Sequence, residues 1–212
     1  MHIEFIDLLR CPVEHEDSWL VAAVTKMEGR LVIEAKLGCP VCNASYLVTD
    51  GVALFDGSKP TDDLPAAELS ASQTAADFDD PVIVSAYLNL TGPEAVALLT
   101  GDWARTAEEV AVLVGARLIS LNAEHPTHRL ENVAEIQAAG RIPLAEKSLH
   151  GAALDAAHST PSMIQDVVRL LRPRGRLVVA AAAQLPPQFR ELARDADNVV
   201  AEYVGELVPL RR

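Results

Sequence analysis

Glu94-Ala95-Val96-Ala97-Leu98-Leu99-Thr100, then Thr106-Ala107-Glu108-Glu109-Val110-Ala111-Val112-Leu113-Val114-Gly115, then Ala116-Arg117-Leu118-Ile119-Ser120-Leu121 is the stretch that decides the fold. The two outer runs are short and apolar, as strands covered on both faces require. Between them Ala107, Val110, Ala111 and Val114 recur at helical spacing, and Gly115 can close the helix. Thr106 and Glu109 have the Ser/Thr-x-x-Glu spacing that satisfies two free amides at a helix start. Strand, helix and strand in this order imply a parallel pair.

Towards the C-terminus the pattern repeats. Val133 to Ala138 and Ala152 to Ala157 are strand candidates separated by Ile142-Pro143-Leu144 and a polar turn. Thr160-Pro161 opens a helix with Met163, Ile164, Val167, Val168 and Leu171 facing inward. Arg172-Pro173-Arg174-Gly175 ends it before the apolar run Leu177 to Ala183, and the basic cluster reads as a helix C-terminus offsetting its dipole. Phe189 to Ala193 is expected as a last short helix and Val199 to Leu210 as one or two strands. Upstream, Asp80 can cap a helix with Pro81 in its first turn and Gly92 past its end, a helix expected over the sheet edge.

The first quarter is different. Ile3 to Leu9 is too short to separate strand from helical turn. Trp19–Val24 and Leu31–Leu37 read as two strands across Glu28-Gly29, and Tyr46–Val48 before Asp50-Gly51 reads as a third. The polar stretch from Asp56 to Asp63 marks a boundary, so residues 1–56 form a small antiparallel module, 57–79 a linker and helix, and 80–212 the larger domain.

Three cysteines, two of them in Cys39-Pro40-Val41-Cys42, suit reduced thiols holding a metal better than a disulfide framework. A Cys-x-x-Cys knuckle supplies two of the four ligands of a structural zinc, and Cys11 supplies a third. The fourth is open: His15 has the better chemistry, Glu14 the better spacing, and a loop that has lost its metal is the bland alternative.

The module, with Ile6-Asp7-Leu8-Leu9-Arg10-Cys11-Pro12, the Cys39–Cys42 knuckle and Tyr46-Leu47-Val48-Thr49-Asp50-Gly51-Val52, resembles the zinc-ribbon activator subunits of tRNA and protein methyltransferases. That resemblance implies a ribbon that docks on and stabilises a methyltransferase domain; Glu14 stands where the second cysteine would be. Ile142–Leu149 and Met163–Val179 resemble a class I S-adenosylmethionine-dependent methyltransferase. Together these imply an α/β protein: a small antiparallel zinc-ribbon-like module, then a shortened Rossmann-like domain with a mainly parallel sheet.

The family's glycine-rich turn after the first strand reads here Leu99-Thr100-Gly101-Asp102-Trp103-Ala104, and Asn122 stands where it places an acidic ribose ligand. The resemblance therefore puts Gly101, Asp102 and Asn122 in any cofactor pocket, while Trp103 is expected to pack in the core. Asn122 would give up the charge-assisted bond to ribose. Three functions follow as expectations: a degenerate methyltransferase-like binding or scaffolding protein, an active methyltransferase with an atypical S-adenosylmethionine pocket, or an activator subunit whose partner is another methyltransferase.

A formal net charge of −12 disfavours direct nucleic-acid binding. The start lacks the basic and apolar regions of a signal peptide and no run is long enough to span a bilayer, so a soluble, cytoplasmic protein is expected. His125, His128, His150 and His158 fall in separate loops and strand ends and read as surface residues.

Overall fold

The computed structural model describes residues 1–55, 80–123 and 130–205. The linker from 57 to 79, His125, His128 and the end of the last expected strand lie outside them. The antiparallel module contains β1 (Val21–Glu28), β2 (Leu31–Gly38), β3 (Ser45–Thr49) and β4 (Val52–Leu54). The larger part contains α1 (Pro81–Leu88), β5 (Val96–Thr100), α2 (Ala107–Val114), β6 (Arg117–Leu121), β7 (Val133–Gln137), β8 (Leu149–Ala153), α3 (Pro161–Leu170), β9 (Leu171–Ala180), β10 (Phe189–Arg194) and β11 (Asn198–Tyr203).

Among the described residues these strands form one sheet in the order β1-β2-β3-β4-β7-β6-β5-β8-β9-β11-β10. From β4 to β9 every neighbouring pair is parallel, and both flanks are antiparallel. Strand order reverses between β5 and β8, which makes the gap between them the topological switch point.

The module joins that sheet through β4, which pairs with β7 from Val52↔Glu135 to Leu54↔Gln137. The turn before β4 has Asp50 at φ 49 and Gly51 at φ 83, the two positive values of a tight hairpin turn. Ile3–Leu8 is a 3-10 helix. After it Leu9 bridges to Leu144, with Arg10 N donating to Pro143 O at 2.9 Å and Ala145 N to Leu8 O at 2.9 Å.

Alternation along each strand sends successive side chains to opposite faces. Ala97, Leu99, Leu118, Val133 and Ala153 pack under α1 and α2 with the fully buried Trp103. Val96, Leu98, Ile119, Leu121 and Ile136 face the other way, against Ile164, Val167 and Leu170 of α3. Phe5, Ile6 and Leu9 belong to that same cluster, as do Val32, Leu37 and Val48 of the module. The hydrophobic core therefore runs without a break from module to larger sheet on this face.

Several expectations need correction. Phe189–Ala193 is strand, not helix: Arg190 pairs with Glu202 at 2.8 Å and the Phe189 and Tyr203 rings meet at a tilt with centroids 5.6 Å apart, cross-strand contacts that a six-residue pattern does not announce. Thr106 forms no capping box, because the 3-10 turn Gly101–Thr106 runs directly into α2 and the Thr106 hydroxyl donates to Trp103 O. Helix α1 lies over β8 and β9 rather than the sheet edge, with Leu88 against Gly151, and Asn89 closes it in a left-handed conformation before Gly92 is reached. Strand β8 ends at Ala153, earlier than expected, since Asp155–Ser159 forms a hydrogen-bonded turn. Arg172–Gly175 belongs to β9, and the cation on the end of α3 is Arg169, which donates to Leu144 O and Ile142 O.

Candidate functional site

Cys11 follows the bridges Leu9↔Leu144 and Arg10↔Trp19, and Cys39 follows β2. Asn43 N donates to Cys39 O and Cys39 N to Ala44 O, so the knuckle turns back and swings Cys42 toward Cys11. The ligand atoms of Cys11, His15, Cys39 and Cys42 all lie within 4.8 Å of one another. Glu14 is exposed and outside this group.

Two of the donor separations are those of a tetrahedral zinc site. With Zn–S near 2.3 Å, sulfurs at tetrahedral corners are about 3.8 Å apart, and a sulfur and an imidazole nitrogen about 3.5 Å. Here Cys11 Sγ and Cys42 Sγ are 3.7 Å apart, and Cys39 Sγ and His15 Nε2 are 3.4 Å apart. His15 Nδ1 lies 2.5 Å from Glu16 O; donating its proton there, it leaves Nε2 with a lone pair for a metal.

Thiol electrostatics are uneven. Burial opposes the Cys39 thiolate, but backbone N–H groups of Cys42 and Val41 and the neighbouring thiols outweigh it and bring the group to about 6. Burial pushes Cys11 up, with the Tyr46 hydroxyl 3.3 Å from its sulfur working the other way. Thiolates are what a zinc ion requires, and ligation displaces the remaining protons.

The switch-point crevice is the second place where chemistry could reside. Thr100 Oγ1 donates to Asp155 Oδ1 at 2.9 Å, Asp155 N donates back to Thr100 Oγ1 at 3.2 Å, and His158 Nδ1 bonds the same carboxylate oxygen. Gly101 sits beneath: a Cβ there would lie 2.3 Å from Asp155 Oδ2, at a residue already held at φ +49. Asp102 is exposed and 3.9 Å from Arg105. Asn122 spends its amide on one neighbour, donating to Ala138 O at 3.0 Å and accepting from Ala138 N at 2.8 Å. Gly101 and Asp102 thus follow β5 and Asn122 follows β6, at the carboxyl ends of two neighbouring parallel strands.

Asp155 escaped the sequence reading, and His158, expected as a surface residue, is instead largely buried against it. Their i,i+3 spacing after a strand was the available signal, and the pairing with Thr100 across the sheet was not. Burial would raise Asp155, yet hydrogen bonds from His158 and Thr100 lower it below 3.8, while the Asp155 bond raises His158 above 6.5. The depressed carboxylate gives stability that is lost as pH falls below 3.8; the raised imidazole gives stability that is complete below 6.5 and lost as pH rises past it. Thermal melts of the parent and of Asp155→Asn should therefore differ most near pH 5, by about 1.5–3 kcal/mol for a bond between charged groups. That difference should shrink at both ends, and a flat profile would contradict the pairing.

No family model matches the chain, and no curated protein matches it. Solved structures similar to it include the geranyl diphosphate C-methyltransferase of Streptomyces coelicolor in complex with S-adenosyl-L-homocysteine, at 12% identity and TM-score 0.39, over 47% of this chain and 41% of that one. The antibiotic-resistance methyltransferase Kmr is similar at 15% identity and TM-score 0.40, over 60% of this chain and 94% of that one. A chain of the Haloferax volcanii complex between the Trm112 methyltransferase activator and a methyltransferase is similar at 12% identity and TM-score 0.38, over 46% and 50%. The chain spans less than half the length of the first of these structures. Among the described residues no helix is long and apolar enough to cross a membrane.

Proposed function

We propose that this is a methyltransferase-like binding or scaffolding protein in which residues 1–56 form a zinc-held docking and structural extension of the sheet in 80–212, and in which the crevice at the switch point is not used for methyl transfer. The observation that carries the reading is the Asp155 carboxylate, pinned by Thr100 and His158 over Gly101 where a cofactor-binding loop would need its backbone bare. With the Asn122 amide also committed to Ala138, the residues as arranged do not fit S-adenosylmethionine. Cys11, His15, Cys39 and Cys42 would hold zinc in a closed four-ligand site, where the ion supplies a structural cross-link and no reactive position. Another protein, of which a methyltransferase is one candidate, would be the partner docked through the module.

The test is titration with S-adenosylmethionine by calorimetry and thermal shift. A ligand at 100 times its Kd stabilises the folded state by about 2.7 kcal/mol, so binding cannot hide from a melt. No heat and no shift at millimolar ligand are expected. A saturable shift would replace this reading with that of an active enzyme with an atypical pocket.

A further inference from the structure

Far from the switch point, at the amino ends of β8 and β9, the sheet carries an irregularity with a chemical consequence. Leu149 pairs with Leu171 and Gly151 with Arg176, so Arg172, Pro173, Arg174 and Gly175 all stand opposite the single residue His150. Such bulges re-aim side chains. Here Arg174 is held at φ 66, and Gly175 is required because a Cβ would lie 2.8 Å from Arg172 O and 3.2 Å from His150 O. Between the bulge and the end of α1 lies a cavity of about 260 Å³, lined by His150, Arg172, Arg174, Arg176 and Asn89.

In a chain of net charge −12, three arginines line one hollow. Among the described residues none of the three forms an ion pair with a carboxylate. Arg172 is fixed in place, its Nε donating to Lys147 O at 3.1 Å and its Nη1 lying 3.0 Å from His150 Nε2. His150 Nδ1 meanwhile faces the backbone N–H of Val96 at 3.0 Å. A neutral imidazole has one acceptor nitrogen, so it cannot accept from both. With Val96 satisfied, Nε2 bears the hydrogen, and two donors face each other at the cavity wall. An anion accepting from both resolves that conflict. Protonating His150 does not, and burial together with Arg172 and Arg117 holds it below its ordinary value, against the opposing charge of Glu94.

We propose that this cavity binds a small phosphate-bearing anion, gripped by Arg172, Arg174, Arg176 and the His150 Nε2 hydrogen. Guanidinium groups suit phosphoryl oxygens because their paired N–H donors match them in geometry and charge. The cavity is smaller than the 300–1,000 Å³ or so of a drug-sized site, which points to a compact anionic group. The negative net charge disfavours a nucleic-acid backbone as its source.

The test is titration of the full chain with inorganic phosphate, read by calorimetry and by amide chemical shifts, in the parent and in an Arg174→Gln/Arg176→Gln variant whose melting temperature and metal content match the parent. The expected result is saturable one-to-one binding with Kd near or below about 1 mM, weakened at least about tenfold in the variant, with shifts concentrated at Val96 and Gly175. Absence of saturable binding in the parent, or equal affinity in the variant, would overturn the proposal. The result does not depend on the switch-point reading, since neither residue touches Asp155, Thr100 or Asn122.

Discussion

Replacing Cys39 by serine is expected to abolish zinc binding by the purified chain and to destabilise the whole sheet by more than about 4 kcal/mol, the range reached when a metal centre is lost. Cys39 is buried, faces His15 Nε2 at 3.4 Å, and has its thiol pKa lowered to about 6 by backbone N–H groups and neighbouring thiols. Serine keeps the size but offers a hard, protonated oxygen in place of a thiolate. Loss of the ion would leave the Cys11–His15 arm held by Cys11 N to Ser18 O and by the Cys11–Tyr46 contact, and the knuckle by its Cys39–Ala44 and Asn43–Cys39 backbone bonds. Because Leu9 is bridged to Leu144 immediately before Cys11, slackening this arm frees the segment that covers the α3 face of the sheet. The effect should appear as a lowered single melting transition. A small early transition followed by an unchanged main one would mean that the module melts alone.

Phe5→Ala is expected to cost about 3–5 kcal/mol although the residue lies outside the larger domain's own stretch of chain. Phe5 is 2% exposed and packs in the cluster that contains Leu98, Ile119, Ile136 and Val167. Truncation leaves a void in that cluster, and close-packed surroundings collapse only in part. Chemical denaturation of the variant, with zinc still bound, checks this. A loss under about 1 kcal/mol would show that the 3-10 turn rests on the sheet without supporting it.

How much of this was legible in the sequence differs by element. The β5–α2–β6 unit was, because each boundary is local: apolar runs, helical spacing and Gly115 at φ 71. The Asp50-Gly51 turn was legible for the same reason. The pairing of β4 with β7 was not, since the partners are some eighty residues apart and three residues of pattern name no partner. Strand β10 failed because its alternation, Phe189, Arg190, Glu191, gains meaning only beside Tyr203 and Glu202. At the candidate sites, ligand types were readable but convergence was not. Which of Glu14 and His15 turns inward depends on the His15–Glu16 contact, and the closing of the switch point depends on a hydroxyl and a carboxylate fifty-five residues apart.

A zinc ion held by three sulfurs and one nitrogen would bind the two arms of the module, Cys11–His15 and Cys39–Cys42, to each other. Metal analysis with X-ray absorption at the zinc edge tests it directly. One zinc per chain is expected, with three sulfurs near 2.3 Å and one nitrogen near about 2.0–2.1 Å, and with the nitrogen lost in His15→Ala. A chain that purifies without zinc under reducing conditions, or a coordination shell unchanged in His15→Ala, would contradict it.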